Sequence, residues 1–207
     1  VRAQSATLEV VAKAGANKAL GYFNKGISYK KKADDSPVTQ ADIESEDVIK
    51  KTILKVFPKA KIVGEESGGD IDQTEYWLVD PLDGTRNFVK ALPFWGCYVT
   101  LIREKQAVVG ASYIPILDDL LYAEKDKGTF NKNGDRVHVS MINSVKEFYI
   151  SHGSLKHLSE NVRGLVELSR QAFRLRGLGD IFSYHLVAEG KIEAIIDEGN
   201  APWDLAG

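Results

Sequence analysis

A short apolar run leads into two acids in the segment Trp77-Leu78-Val79-Asp80-Pro81-Leu82-Asp83-Gly84-Thr85-Arg86-Asn87-Phe88. Pro81 restricts the residue before it to an extended backbone, so Asp80 is expected at the tip of a strand. Asp83 follows after a turn and can approach the same point, and Leu82 between them can offer only its backbone carbonyl. Gly84 opens a short helical turn whose free N–H groups would face an anion. The segment predicts a hard-cation and phosphate site; taken alone, it equally suits a turn with a capping aspartate.

Three further acidic segments stand at strand ends or helix starts. Glu65 follows an apolar run that ends at Gly64, Asp42 lies three residues after Thr39, and Asp204 falls in the first turn of a predicted helix. Each has a plain alternative: a solvated loop for Glu65, a capping box for Asp42, and an acid favoured at a helix start for Asp204. Together, however, these carboxylates would repel one another unless cations neutralised them. Ligands that are all oxygen favour Mg²⁺, Mn²⁺ or Ca²⁺ over zinc.

Composition excludes several classes of protein. The 207 residues are 43% hydrophobic and 27% charged, an ordinary balance for a globular domain. The 27 basic and 29 acidic residues give a net charge of −2, so neither nucleic acid nor an anionic membrane is the expected partner. Cys97 is the single cysteine, which excludes an internal disulfide and fits a cytoplasmic location. No apolar run reaches the roughly 18 residues of a membrane-spanning helix.

Hydrophobic periodicity predicts an α/β or α+β domain in which layers of helices cover sheets. Helices are expected over 4–23, from 39 to Pro58, and over 160–173 and 182–189, and the Lys-rich stretch 30–35 is expected to be a solvated loop. Strands are expected over 61–64, 76–79, 97–103, 107–114, 120–124, 137–139, 147–151, 174–176 and 192–197. The sequence lacks a P-loop, a complete dinucleotide-binding pattern and a G-x-S-x-G nucleophile motif.

The acidic segments resemble the two diagnostic patterns of the inositol monophosphatase superfamily of magnesium-dependent, lithium-sensitive phosphatases. The first is Asp80-Pro81-Leu82-Asp83-Gly84-Thr85-Arg86-Asn87-Phe88 and the second is Trp203-Asp204-Leu205-Ala206-Gly207. The resemblance covers nearly the whole chain and implies a layered α-β-α-β-α sandwich. It implies a single phosphatase domain over 1–207, with an N-terminal α+β part over about 1–140 and a C-terminal α/β part over about 145–207. Family members continue beyond the second motif, so we expect this chain to lack the C-terminal segment of the fold.

The resemblance also implies roles for individual residues. Glu65, Asp80 and the Leu82 carbonyl would bind a first metal, Asp80, Asp83 and Asp204 a second, and Glu65 a weaker third. Thr85 and Asp42 would orient and help deprotonate the attacking water, so they stand with Glu65 as catalytic residues, and the Gly84 and Thr85 amides would hold the phosphate. The implied cofactors are two or three Mg²⁺ ions per site, with Mn²⁺ as a possible substitute and Li⁺ as an inhibitor. Family members are commonly dimers, so a homodimer is expected by analogy.

The expected substrate is a small-molecule phosphate monoester. Asp180, directly after Gly179 and close to Phe182 and Tyr184, resembles the histidinol-phosphatase branch, because an acid suits a cationic amine or imidazolium. Asp197 lies where the family often places a substrate-binding acid. We therefore expect hydrolysis of histidinol phosphate by metal-activated water, with myo-inositol monophosphate as the alternative substrate.

Other interpretations stay open at this point. Asp180 could be a helix cap, and Phe182 and Tyr184 could simply pack in the core. Sugar bisphosphates and nucleotide 3′-phosphates are further substrate candidates. Two alternatives belong to other functional classes. The chain could be a catalytically inactive, cation-dependent binding module, or a glycosidase that uses Glu65 and Asp80 as an acid pair.

Overall fold

The computed structural model describes residues 2–26, 28–32, 37–156, 158 and 161–206. The helices are α1 (Arg2–Leu20), α2 (Gln40–Val56), α3 (Thr85–Val89), α4 (Val162–Gln171), α5 (Asp180–Ala188) and α6 (Pro202–Leu205). The first six strands are β1 (Tyr29–Lys31), β2 (Pro37–Thr39), β3 (Ile62–Gly64), β4 (Glu75–Asp83), β5 (Gly96–Arg103) and β6 (Gln106–Ile114). The remaining strands are β7 (Asp119–Glu124), β8 (Gly128–Asn131), β9 (Arg136–Val137), β10 (Tyr149–His152), β11 (Arg174–Arg176) and β12 (Ala194–Ile196).

The largest element is a seven-stranded sheet in the order β3-β4-β5-β6-β7-β8-β9. Only the β3–β4 pair is parallel, and the others are antiparallel. Helices α1 and α2 cover one face of this sheet, where Leu8, Val11 and Ile49 share a buried cluster with Val79 and Val99. A hydrophobic core on this face fixes the sheet register, because a one-residue slip would turn every inward side chain to the opposite face.

A second, three-stranded parallel sheet has the order β11-β10-β12. Helix α5 lies between the two sheets: Ile181 is buried with Tyr98 and Ile114 of the larger sheet, and Ser183 bonds Ser151 of β10 at 2.6 Å. The crossovers β10-α4-β11 and β11-α5-β12 run in opposite directions along the sheet, so right-handed connections place α4 on the other face from α5. The layers therefore form the expected α-β-α-β-α sandwich.

Several predicted elements need correction. The strand expected to end at Val79 continues to Asp83, with a register shift between Asp80 and Asp83 that accommodates Pro81. The prediction of a loop over 30–35 is wrong at Lys30 and Lys31, because both residues pair with β2. Positions 33–35 lie outside the described residues. Strand β8 was not predicted. These short strands have no apolar alternation of their own, so only the neighbouring strand defines them.

Two other sequence predictions concern the whole chain. Among the described residues, no helix is both long enough and apolar enough to cross a membrane. The division into a single domain with parts over about 1–140 and 145–207 stays a prediction.

We expect Gly64→Ala at the end of β3 to lower the melting temperature. A Cβ added at Gly64 would overlap the carboxyl group of the buried Glu46, and overpacking of this kind costs about 1–3 kcal/mol. The matched control is Gly164→Ala in α4, where an added Cβ meets no atom within 4 Å and helix propensity favours alanine. Thermal unfolding of both variants checks this; equal melting temperatures would mean that Glu46 moves aside freely.

Candidate active site

Three carboxylates from distant parts of the sequence meet at the end of β4. One oxygen from each of Asp80, Asp83 and Asp204 lies within 4.8 Å of the other two. Strand β4 supplies two of these acids on either side of its register shift, and α6 supplies the third. The arrangement offers several oxygen ligands at one point, which is the coordination that hard divalent cations take.

Backbone amides hold each of the three acids in place. Asp80 accepts a hydrogen bond from the Leu82 N–H at 2.9 Å, Asp83 accepts one from the Ile181 N–H, and Asp204 accepts one from the Ala201 N–H at 2.7 Å. Because α6 is a single short turn, its position depends on packing. The neighbouring Trp203 supplies that packing in the apolar cluster of Val63, Tyr76, Leu78 and Ile102.

The electrostatics of the cluster disfavour three separate negative charges. Burial raises the pKa of Asp80 well above its usual range, and the charges of Glu65, Asp83 and Asp204 raise it further. Burial also raises the pKa of Asp83, followed by the charge of Asp180. Burial is also the main cause of the raised pKa of Asp204. A positive ion bound between these groups would remove the repulsion.

Glu65 lies beside the cluster at the end of β3, but its carboxylate has a different partner. Lys32 donates to Glu65 at 2.7 Å and to Glu66 at 2.6 Å. Burial of the Lys32 ammonium opposes its charge, but these two hydrogen bonds outweigh that effect and raise its pKa. These two hydrogen bonds therefore link Glu65 and Glu66 to Lys32, the residue that follows β1. No role for Lys32 can be predicted from the sequence, because a lysine in a Lys-rich stretch carries no specific signal.

Glu46 on α2 is a second residue that the sequence analysis missed. Its side chain is buried, is ion-paired with Lys50 at 2.7 Å, and accepts the Glu66 N–H at 2.8 Å. It therefore supports the turn that carries Glu65. Its position one helical turn after Asp42 was the available signal, because residues four apart share a helix face.

Asp42 lies in the first turn of α2 and is fully buried. One carboxylate oxygen accepts the Thr39 N–H at 2.8 Å, so the helix cap inferred from the sequence is present. The other oxygen lies 3.2 Å from the Thr85 hydroxyl, which also lies 3.1 Å from the Leu82 carbonyl oxygen. A hydroxyl has one proton, so Thr85 can donate to only one of them at a time. Burial raises the pKa of Asp42, against the bonds from Thr39 that lower it.

Gly84 connects the acids to α3 through a left-handed turn with φ 84°. A Cβ at this position would approach the Phe94 carbonyl oxygen to 2.7 Å, so both conformation and space require glycine. The Gly84 and Thr85 amides lie at the start of α3, at the rim of a cleft of about 760 Å³. Asp80 and Asp204 also line this cleft, so a phosphate there would lie against the acid cluster.

Asp180 and Asp197 line the same cleft, on the side of the three-stranded sheet. Asp180 accepts a hydrogen bond from Asn87 at 2.6 Å. It is not the N-cap of α5, because Gly179 occupies that position. Burial raises the pKa of Asp180 to about 6, the charge of Asp197 adds to the rise, and Arg86 opposes it.

The two aromatic side chains near Asp180 contact different partners. Phe182 stacks on Phe94 with ring centroids 4.6 Å apart, and the Tyr184 hydroxyl accepts a hydrogen bond from Asn200 at 3.0 Å. Phe182 therefore packs inside the domain, as the core-packing alternative described.

Comparisons with known proteins agree on one family. The chain matches the inositol monophosphatase family over residues 1–207. It is 34% identical over 207 residues to histidinol-phosphatase of Chlorobaculum parvum, covering 96% of this chain and 78% of that protein. It is 31% identical over 195 residues to inositol monophosphatase of Dictyostelium discoideum, covering 88% of this chain and 70% of that protein.

Solved structures give the same result. The extragenic suppressor protein suhB of Bartonella henselae superposes with a TM-score of 0.88 at 27% identity, covering 97% of this chain and 80% of that one. The IMPase of Thermotoga maritima also gives 0.88 at 27% identity, covering 96% and 77%. Fold, acid cluster and sequence thus agree that the chain belongs to the inositol monophosphatase family, whose members are metal-dependent phosphatases that hydrolyse phosphate monoesters.

Proposed function

We propose that the chain hydrolyses the phosphate monoester of a small cationic alcohol, histidinol phosphate, with Mg²⁺ as cofactor. The observation that carries this proposal is the charge of the cleft. Among the described residues, its lining has one arginine, Arg86, and seven carboxylates: Glu65, Asp80, Asp83, Asp180, Asp197, Glu198 and Asp204. Cations at the cluster would neutralise the acids near the phosphate. Asp180 and Asp197 would still face the alcohol part of the substrate, and their charge favours an amine or imidazolium over a neutral polyol.

The residues of the cluster fit a divalent cation. Asp80 is 1% exposed, its pKa is raised by its acidic neighbours, and all donors are oxygens, which suit Mg²⁺ or Mn²⁺. We assign Glu65, Asp80, Asp83, Asp204 and the Leu82 carbonyl as the metal ligands. Bound divalent ions would neutralise the phosphate dianion, make water a better nucleophile and stabilise the leaving oxygen.

The remaining chemistry belongs to the chain's own groups. The Gly84 and Thr85 amides are placed to orient the phosphate. The Thr85 hydroxyl can donate to the Asp42 carboxylate, and its oxygen would then accept a hydrogen bond from water in the cleft. As the water gives a proton to Thr85, Thr85 would pass its own proton to Asp42. The raised pKa of Asp42 suits this function, because a stronger base takes a proton more readily. No nucleophilic side chain is required for such a transfer.

A panel of substrates tests the proposal. Phosphate release is measured with Mg²⁺ for histidinol phosphate, inositol 1-phosphate, fructose 1,6-bisphosphate and adenosine 3′,5′-bisphosphate. We expect the highest kcat/KM for histidinol phosphate, with activity lost in EDTA and lowered by Li⁺. Preference for inositol 1-phosphate would overturn the substrate assignment in favour of the relatives named inositol monophosphatase. Release without any metal would overturn the assignment of the cluster.

We expect Asp42→Asn to lower kcat by about 10²–10⁴-fold, the usual contribution of a general base. Asparagine can still accept the Thr39 N–H and cap α2, but its amide cannot take up a proton. Asp47→Asn, an exposed acid on the same helix, is the control. Steady-state kinetics with both variants checks this; wild-type turnover in Asp42→Asn would limit Asp42 to its capping function.

We expect Asp80→Asn to abolish activity yet stabilise the metal-free protein. A raised carboxyl pKa means that the folded state binds the proton more tightly, so stability is lost as pH rises from the usual value of 3.8 through the raised pKa. In EDTA, the variant should therefore melt higher than wild type at pH 8, and the difference should shrink towards pH 4.

Two comparisons control the Asp80→Asn measurement. Asp126→Asn in an exposed turn should not change the melting temperature, and Mg²⁺ should stabilise wild type more than Asp80→Asn. A lower melting temperature of Asp80→Asn in EDTA at pH 8 would contradict the picture of repelling buried acids.

We expect Asp180→Asn to lower kcat/KM for histidinol phosphate roughly tenfold to a hundredfold. A charge-assisted hydrogen bond contributes about 1.5–3 kcal/mol, and the loss should appear mainly in KM because the charge of the amine does not change during hydrolysis. Inositol 1-phosphate is the control, and its kinetics should change little. Equal losses on both substrates would show that Asp180 acts through the structure of the loop.

A further inference from the structure

His185 in α5 is buried, with 2% of its surface exposed, and both ring nitrogens have partners. Its Nε2 lies 2.8 Å from the Ser112 hydroxyl in β6, and its Nδ1 lies 3.0 Å from a carboxylate oxygen of Asp119 in β7. In the neutral ring, Nδ1–H donates to Asp119 and Nε2 accepts from Ser112. The hydrogen bond from His185 lowers the pKa of Asp119, so this acid is ionised. One side chain therefore joins α5 to two neighbouring strands.

The three residue types are those of a hydrolytic triad, but their setting excludes that function. Ser112 lies within β6, two residues before its end, and pairs with Tyr98 of β5 on one side and Leu121 of β7 on the other. Backbone groups at this position belong to the sheet, so they cannot form the pair of free amides that stabilises an oxyanion. Ser112 is also buried. The three residues are therefore better placed to hold α5 than to attack a substrate.

The other end of α5 carries two contacts of the active site. The Ile181 N–H donates to Asp83, and the Asp180 carboxylate accepts from Asn87. Only four residues separate Ile181 from His185, a rise of about 6 Å along a helix. A displacement at His185 would therefore reach Asp83 and Asp180 almost undiminished.

The start of α5 also needs support from the rest of the fold. Gly179 has φ 62° and Asp180 has φ 47°, so two successive residues occupy the left-handed region. For a residue other than glycine this conformation is costly and persists only where its surroundings enforce it. Asn87, Asp83 and the anchored body of the helix are the groups that do so.

We propose that His185 is a positioning residue for the phosphatase reaction: its two hydrogen bonds to β6 and β7 fix α5 and thereby set Asp83 at the metal cluster and Asp180 at the alcohol side of the cleft. The Asp180 part rests on the proposed function, whereas the Asp83 part depends only on the acid cluster. A displacement of about 1 Å at a reacting group can cost up to about a hundredfold in rate. The effect of losing His185 should therefore extend beyond stability.

The test compares His185→Gln and His185→Leu with His138→Gln, a change of an exposed histidine. Glutamine keeps one polar contact to the sheet, and leucine keeps neither. The first readout needs no metal: amide hydrogen exchange of Ile181 in EDTA, measured by NMR. The others are KM and kcat for histidinol phosphate and inositol 1-phosphate, and the Mg²⁺ concentration for half-maximal activity.

We expect His185→Leu to lose protection at Ile181, to raise KM for histidinol phosphate about tenfold and to require more Mg²⁺. His185→Gln should fall between this variant and wild type, and His138→Gln should match wild type. If His185→Leu does not fold, Ser112→Ala removes one of the two bonds and should give the same changes at smaller size.

A lower melting temperature with unchanged Ile181 exchange, KM and Mg²⁺ requirement would overturn the proposal and leave His185 a purely structural residue. Failure of the proposed substrate has a different signature. Wild type would then prefer inositol 1-phosphate, while the effects on Ile181 exchange and on the Mg²⁺ requirement would remain.

Discussion

Repulsion among buried carboxylates is the constraint on which this site depends. Asp80, Asp83 and Asp204 are brought within 4.8 Å of one another, and Glu65 raises the pKa of Asp80 further. In the unfolded chain these charges lie apart in water. Without cations, their repulsion therefore destabilises the folded state. Apolar packing offsets this repulsion: α1 and α2 cover one face of the seven-stranded sheet, and Trp203 packs in an apolar cluster.

Helix α5 connects the acid cluster to the part of the cleft that Asp180 and Asp197 line. It lies between two sheets and contacts both, through Ile181 on one side and Ser183 on the other. Its first turn carries Asp180 and the amide that holds Asp83. The residues to which we assign metal binding and substrate choice therefore depend on one short helix, and changes that shift the helix are expected to alter both.

The cleft contains two kinds of negative charge. The acids around Asp80 form the cluster at which we propose that cations bind, whereas Asp180 and Asp197 lie on the side of the three-stranded sheet. Burial and the charge of Asp197 raise the pKa of Asp180, and Arg86 opposes the rise. Under the proposed function, this separation would let one acidic cleft bind the phosphate at one end and a cationic group at the other.

The sequence by itself determined the fold class, the main helices and the acids of the cluster, because the apolar periodicity is strong and because the two motifs around Asp80 and Asp204 are specific. It gave no reason to expect a strand at Lys30, since a strand of three exposed residues is defined by its partner and not by its own pattern.

Only the tertiary structure showed that Lys32 pairs with Glu65 and that Glu46 supports the same turn. These contacts join residues far apart in the chain: Lys32 stands in a Lys-rich stretch that carries no specific signal, and the spacing of Glu46 from Asp42 shows only that the two share a helix face. The same holds for His185, whose partners Ser112 and Asp119 lie 73 and 66 positions away. Side chains that act through packing and hydrogen bonds acquire their function only where the folded layers bring their partners to them.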